Sequence, residues 1–315
     1  MEVLLAFLLD ALERGEGVTL CTVLDAAGSV PRGAGAQMAV ASSGTACGTV
    51  GGGALELQTT ALARMALTDG RARIERFSLA DEVGTLGMLC GGEATVLVWP
   101  LAPQDTVFLH RVQNALSSRE RLSLCLVLHD GRVEPSLVPQ ESLTPRWDGA
   151  RYTQPLCRAE RACIVGAGHV AQALAPLLAR IGFAVTVYDE RPALVCRAVF
   201  PTAEALLCGA FTDAARLHIT AEDYAVVMTP GHQADFAVLS QVLRTEATYV
   251  GCIGSHKKAA ALAERLREQG FDEADVARIH SPIGLPILAE TPEEIAVSIA
   301  AELIEHRAKH RRGET

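Results

Sequence analysis

The segment Gly166-Ala167-Gly168-His169-Val170-Ala171 follows an apolar run, Arg161–Val165, and opens an amphipathic stretch; Asp189 closes the next apolar run. Glycines permit a tight turn and close backbone approach, a helix N-terminus attracts phosphate, and an acid placed this far on can bind a ribose hydroxyl. Gly166, Gly168, His169 and Asp189 are therefore candidate nucleotide-binding residues, with His169 either a phosphate-side donor or solvent-facing. Two further loops follow later apolar runs. Thr229-Pro230-Gly231-His232 has Asp235 one helical turn beyond its histidine, so His232 and Asp235 are candidates for proton transfer, or else cap a helix. Gly254-Ser255-His256-Lys257-Lys258 offers a hydroxyl at Ser255, free amides and two cations to an anion, unless the lysines are plain surface charge.

The first hundred residues hold three more glycine loops. Gly28-Ser29-Val30-Pro31-Arg32-Gly33 presents one guanidinium, Arg32, suited to a planar anion or phosphate. Gly48-Thr49-Val50-Gly51-Gly52-Gly53 runs into a helix bearing Glu56, and so many glycines suggest exposed amides forming an anion nest. In Leu89-Cys90-Gly91-Gly92, the glycines leave the Cys90 sulfur accessible among backbone donors that favour thiolate. Cys90 either contacts a metal or carries sulfur as a soft thiolate, or simply packs. The other eight of the nine cysteines lie mostly inside apolar runs, with no CxxC or paired Cys/His spacing, which signals neither a disulfide framework nor a zinc site.

Short apolar runs at Val18–Leu24, Gln37–Val40 and Ala94–Trp99, with a helix from Gly53 to Thr68, describe a small α+β domain over residues 1–134. Pro135, Pro139, Pro145 and Pro155 mark 135–158 as a linker. From 159 to 315, strand runs alternate with helix-length amphipathic segments, the pattern of βαβ units and a parallel, Rossmann-like sheet. The fold class is α/β: an N-terminal α+β domain with glycine-rich loops plus a C-terminal Rossmann-like domain. The last helix is announced by Thr291-Pro292-Glu293-Glu294, with a capping Thr, Pro at the first helical position and acids in the first turn. A chain of 315 residues with a net charge of −9 is a poor general binder of nucleic acid or anionic membranes. The apolar start Met1–Leu9 lacks a basic region and a cleavage site, and the reading is a reduced, cytoplasmic protein.

Taken in order, these motifs resemble the XdhC/CoxI family of xanthine dehydrogenase accessory proteins over nearly the whole chain. The resemblance rests on the three N-terminal glycine loops and on Gly166–Ala171. It extends to Asp189-Glu190-Arg191-Pro192, Gly231-His232 with Asp235, Tyr249–Ser255 and Pro282-Ile283-Gly284-Leu285-Pro286, followed by Glu290–Ala296. It implies a cytoplasmic chaperone that binds molybdenum cofactor (molybdopterin) as cargo, protects it during sulfuration and inserts it into apo xanthine dehydrogenase or a related molybdenum hydroxylase. The implied partners are that hydroxylase and a NifS-type cysteine desulfurase, and a homodimer is compatible with the resemblance. Cofactor-binding roles would fall on Arg32, Gly51, Gly52, Gly53, Glu56, Cys90, Gly91 and Gly92. In the second domain they would fall on Gly166, Gly168, His169, Asp189 and Ser255, with Cys90 the molybdenum contact. The Rossmann-like site would hold the pterin cofactor, a separate nucleotide or nothing, and the bare and cytidine dinucleotide forms of the cofactor would both satisfy the loops. The competing reading is an NAD(P)-dependent oxidoreductase using His232 and Asp235, which leaves the N-terminal glycine loops and Cys90 without a task.

Overall fold

The computed structural model describes residues 1–79, 91–118, 120–156 and 159–314. It divides into two units, Met1–Arg158 and Ala159–Thr315. Among the described residues no helix is long and apolar enough to cross a membrane.

In the first unit, β1 (Val18–Ala27) is the middle of a five-stranded antiparallel sheet. Its partners are β2 (Gln37–Ala41), β3 (Ala46–Gly48), β4 (Arg73–Ser78) and β5 (Glu93–Leu101), in the order β3-β2-β1-β5-β4. A central strand buries both faces, which is why Val18–Leu24 is apolar without alternation. Val18, Leu20 and Leu24 pack on one side with α1 (Glu2–Glu13) and α3 (Asp105–Ser117), and Cys21 and Val23 on the other with α2 (Gly53–Asp69). Each buried valine or leucine among them contributes about 1.5–3 kcal/mol. A register shift between Val23 and Asp25 bends β1 as it leaves the core toward the first glycine loop.

A second sheet of this unit, in the order β7-β6-β9-β8, comprises β6 (Leu122–His129), β7 (Arg132–Pro139), β8 (Arg146–Trp147) and β9 (Arg151–Pro155). The prolines that suggested a linker over 135–158 thus lie largely within strands. Pro135 and Pro139 sit on β7, an edge strand, where a missing N–H removes no ladder bond from a second neighbour. The hairpin between β6 and β7 turns at Asp130 and Gly131, both with positive φ, as a two-residue turn requires.

The second unit is a parallel sheet of six strands: β10 (Arg161–Val165), β11 (Ala184–Asp189), β12 (Ala205–Cys208), β13 (Asp223–Val227), β14 (Tyr249–Cys252) and β15 (Ile279–His280). The order β12-β11-β10-β13-β14-β15 reverses beside β10, which opens a crevice beyond the carboxyl ends of the strands. Helices α4 (His169–Arg180) and α8 (Pro292–Arg312) cover one face. Helices α5 (His232–Val242) and α6 (His256–Glu268), with a 3-10 segment at Phe211–Leu217, cover the other. Between α6 and β15 lies the one-turn α7 (Glu273–Ala277). The capping box expected at Thr291 is present, with Thr291 accepting from the Glu294 amide and Glu294 from Thr291.

At the amino ends of β13 and β14, α8 presses His306 against Tyr224, Tyr249 and His280, at ring separations of 5.6, 5.1 and 5.7 Å. The Nδ1 of His306 is buried without a hydrogen-bond partner among the described residues. Burial first, then the neighbouring His280 and His310, push its pKa down to about 4. The unfolded chain takes up a proton near pH 6.5 that the folded chain refuses until about pH 4, so this stabilisation is complete above pH 6.5 and is lost on descent to pH 4. Glu302 adds a loss at lower pH. Burial raises its carboxyl, but hydrogen bonds from His280 and the Gly284 amide outweigh that and hold it below the ordinary value. Discounted for partial exposure, the histidine contribution lowers the melting midpoint by about 2–4 °C between pH 6.5 and 4.5. His306→Phe keeps a ring in place and should flatten that part of the melting profile; an unchanged slope would assign the pH dependence elsewhere.

Candidate functional site

In the first unit the three glycine loops meet. Gly92 passes so close to the first loop that a Cβ on it would lie 2.5 Å from the Ser29 carbonyl oxygen and 2.7 Å from that of Ala27. A Cβ on Gly51, whose φ is +140°, would lie 3.2 Å from Pro31. At Gly92 glycine is required for close packing of backbone on backbone, and at Gly51 the positive φ favours it while the neighbour is the Pro31 ring. Cys90, the candidate thiolate, lies outside the described residues.

The second loop is organised by its own helix. Glu56, on the first turn of α2, accepts from the Gly52 amide at 3.0 Å and from the Thr49 hydroxyl at 2.6 Å, and Thr49 accepts from the Gly51 amide at 3.1 Å. A carboxylate at a helix N-terminus is favourable, so part of the expected anion nest is already filled from within the chain. Beside this loop a cleft of about 370 Å³ is lined by residues 32–37 with Gly48 and Thr49. Arg32 stands exposed at its side and forms no ion pair among the described residues. Gln37 donates from its amide to the Thr22 hydroxyl at 3.2 Å and takes its place in the lining. Sequence reasoning passed over Gln37 because a lone amide within an apolar strand carries no motif.

In the second unit the glycine turn after β10 has the geometry its sequence predicts. Gly166 has φ +115°, and a Cβ there would lie 2.2 Å from the Met228 carbonyl oxygen. Gly168 precedes α4 facing open space, and His169 is exposed at the helix start. Asp189 is fully buried at the end of β11. Its Oδ2 accepts from the Ala167 amide and from Arg191 Nη2, each at 2.7 Å. Its Oδ1 accepts from the Arg191 amide at 2.9 Å and Nε at 2.8 Å. Burial raises the carboxyl, but the Arg191 side chain and these amides outweigh it and hold the pKa below the ordinary value. The acid expected to read a ribose hydroxyl is instead the tether between Arg191 and the glycine turn.

Asp235 also has a different partner from the expected one. It is fully buried. Its Oδ1 accepts from the Thr229 hydroxyl at 2.6 Å and amide at 3.2 Å. Its Oδ2 accepts no well-aligned hydrogen bond, but the Lys258 ammonium lies 2.5 Å away. His232 begins α5 exposed to solvent, so the structure joins Asp235 to Thr229 and Lys258 and does not assemble the His232–Asp235 pair. Ser255 caps α6, accepting from the Lys258 amide at 3.3 Å. The other cysteines behave as core residues where they are buried: burial pushes the thiols of Cys21, Cys163 and Cys252 up to about 12. Among the described residues no cluster of three or more metal-ligating side chains occurs.

Two family descriptions match the sequence of these two units: "XdhC and CoxI family" over residues 11–78 and "XdhC Rossmann domain" over residues 163–303. The chain belongs to the XdhC and CoxI family. Among relatives of this XdhC-type chain, Escherichia coli YqeB, an uncharacterized protein, is 27% identical over 91% of it, and the chain spans only 43% of the length of YqeB. The Escherichia coli molybdenum cofactor insertion chaperone PaoD is 24% identical, covering 95% of this chain and 86% of PaoD. A probable xanthine dehydrogenase subunit of Bacillus subtilis is 28% identical over 96% of this chain and 97% of its own length. A crystal structure of a xanthine dehydrogenase from Bacillus halodurans superposes with a TM-score of 0.85 at 26% identity, covering 99% of this chain and 98% of that one. The XdhC-type fold described above is thus shared along the whole chain.

Proposed function

We propose that this protein is a cytoplasmic chaperone that binds molybdenum cofactor as cargo and inserts it into xanthine dehydrogenase or a related molybdenum hydroxylase. The observation that carries the reading is the likeness to PaoD, a molybdenum cofactor insertion chaperone, over 95% of this chain and 86% of that protein. The N-terminal cleft is consistent with it. A volume of about 370 Å³ falls in the range of small-ligand sites, which run from roughly 300 to 1,000 Å³. Its guanidinium, carboxamide, hydroxyl and glycine backbone supply donors and acceptors for a phosphate and a pterin edge.

In this reading Arg32 holds the cofactor's phosphate, and Gly51, Gly52 and Gly53 let the backbone approach the ring system. Glu56 keeps the second loop in shape from within. Cys90, next to Gly91 and Gly92 in the chain, supplies a soft thiolate to the molybdenum. The cargo is held while a NifS-type cysteine desulfurase installs its sulfido ligand, and two copies of the chain can share that task. An NAD(P)-dependent oxidoreductase draws less support, because the acid meant to work with His232 is bound to Lys258 and Thr229.

Equilibrium binding of the purified chain to molybdenum cofactor under reducing, anaerobic conditions tests the reading. Dissociation at about micromolar or tighter is expected, weakened roughly tenfold by Arg32→Ala. Cys90→Ala should loosen the molybdenum-bearing cofactor and leave the metal-free pterin bound as before. No cofactor binding, together with hydride transfer to a nicotinamide, would replace the chaperone by a dehydrogenase.

A further inference from the structure

The acid that ends β11 is where a Rossmann-type sheet ordinarily grips a ribose diol. Here every oxygen of Asp189 is engaged and the side chain has no exposed surface. A diol could be read only by stripping hydrogen bonds from a buried carboxylate. What faces outward at this position is Arg191, whose side chain is 43% exposed. Its Nε and Nη2 are held on Asp189, and Nη1 has no partner among the described residues. Of the five N–H donors of a guanidinium, the carboxylate uses two, leaving three on the outer edge in a fixed plane.

We propose that Arg191 forms a phosphomonoester site at the crest of β11, so that the C-terminal unit prefers a nucleotide phosphorylated on its ribose to one with a free ribose diol. The guanidinium is preorganised from two sides. The same residue's backbone amide also donates to Asp189, at 2.9 Å, so neither main chain nor side chain is free to swing away. The second oxygen of Asp189 binds the Ala167 amide, which ties Arg191 to the glycine turn through one carboxylate. That turn is itself rigid, because Gly166 is wedged against the Met228 carbonyl. Beyond it, Gly168 opens onto unfilled space and α4 begins without a side-chain cap.

The unit therefore offers two anion positions with a fixed relation. A backbone phosphate would lie at the start of α4, and a second, dianionic phosphate would lie on the Arg191 fork, where charge-assisted and bidentate bonds are strongest. The short segment between them would be spanned by the sugar. This site stands apart from the cargo reading, since it uses none of the residues of the N-terminal cleft.

Titration of the full-length protein with two ligand pairs, 2′,5′-ADP against 5′-AMP and NADP against NAD, tests it, with molybdenum cofactor binding measured in parallel. The phosphorylated member of each pair should bind at least roughly tenfold tighter. Arg191→Ala should erase that preference, and Arg191→Lys should keep part of it, a point charge without the fork. Arg32→Ala should leave it intact. Because Arg191→Ala strips a partner from buried Asp189, melting curves accompany each variant, and the lysine variant decides if the alanine one unfolds. Equal binding within the pairs, no nucleotide binding, or a full preference surviving in folded Arg191→Ala would each overturn the proposal. So would displacement by molybdenum cofactor at this position with no preference between nucleotides. Cofactor binding that persists when the preference is absent would reject this site and leave the chaperone standing.

Discussion

Gly166→Ala should cost the C-terminal unit about 3–5 kcal/mol and lower its melting midpoint by roughly 10 °C. Two causes act together. A φ of +115° is strained for any residue with a Cβ, and the added carbon would lie 2.2 Å from the Met228 oxygen and 2.6 Å from the Met228 carbon. Both are main-chain atoms. They cannot withdraw, because the Met228 amide donates to Val165 at 2.8 Å while the Gly166 amide donates to Tyr188 at 2.8 Å. The turn is thus pinned between β11 and β13 at the middle of the sheet. Gly168→Ala is the control: its added carbon meets nothing within 4 Å, and the expected cost is below about 1 kcal/mol. Urea unfolding followed by far-UV circular dichroism measures both. Similar losses for the two variants would show that backbone flexibility, not the Met228 contact, requires these glycines.

The second large effect concerns the buried pair at the end of β13. Lys258→Met should destabilise by about 3–5 kcal/mol, since it leaves the fully buried Asp235 carboxylate without its counter-charge. Asp235→Asn should cost less, about 1–2 kcal/mol. The asparagine oxygen can still accept from Thr229, and the lysine, with 30% of its side chain exposed, can reach water. The double variant Asp235→Asn with Lys258→Met should lose less than the two single losses combined, because neutralising both partners leaves no buried charge uncompensated. A double-mutant cycle in chemical denaturation gives the coupling. Additive losses would show that Asp235 and Lys258 act separately, with Thr229 as the partner that matters.

Much of the architecture was open to reading along the chain because it depends on local periodicity. The apolar run Arg161–Val165 is β10 as it stands, and the alternation of apolar strands with amphipathic segments after it announced the parallel, Rossmann-like sheet. β12 and β15 escaped notice because Ala205–Cys208 and Ile279–His280 are too short to show a period. The proline-bearing stretch from 135 misled for a related reason. Proline reports a missing N–H, and only the arrangement of strands tells whether that N–H would have faced a neighbour or an edge.

The functional residues divide in the same way. A glycine with positive φ can be anticipated from sequence, since a tight turn between strand and helix needs that conformation wherever it occurs, and Gly166 meets the expectation. The order of motifs likewise sufficed to assign the XdhC and CoxI family. Which partner each buried acid takes was not determined locally. His232 is three residues from Asp235 and was the natural choice, but Lys258 reaches it from the start of α6, placed there by the parallel pairing of β13 with β14. Asp189 meets Ala167 only because β10 and β11 lie side by side. A buried carboxylate binds whatever cation and amides the strand order brings to it, and strand order is set by packing across the whole sheet. The sequence by itself determined the longer strands and helices of the parallel sheet, the glycine turn after β10 and the family; the tertiary structure alone decided that Asp189 holds Arg191 and that Asp235 holds Lys258.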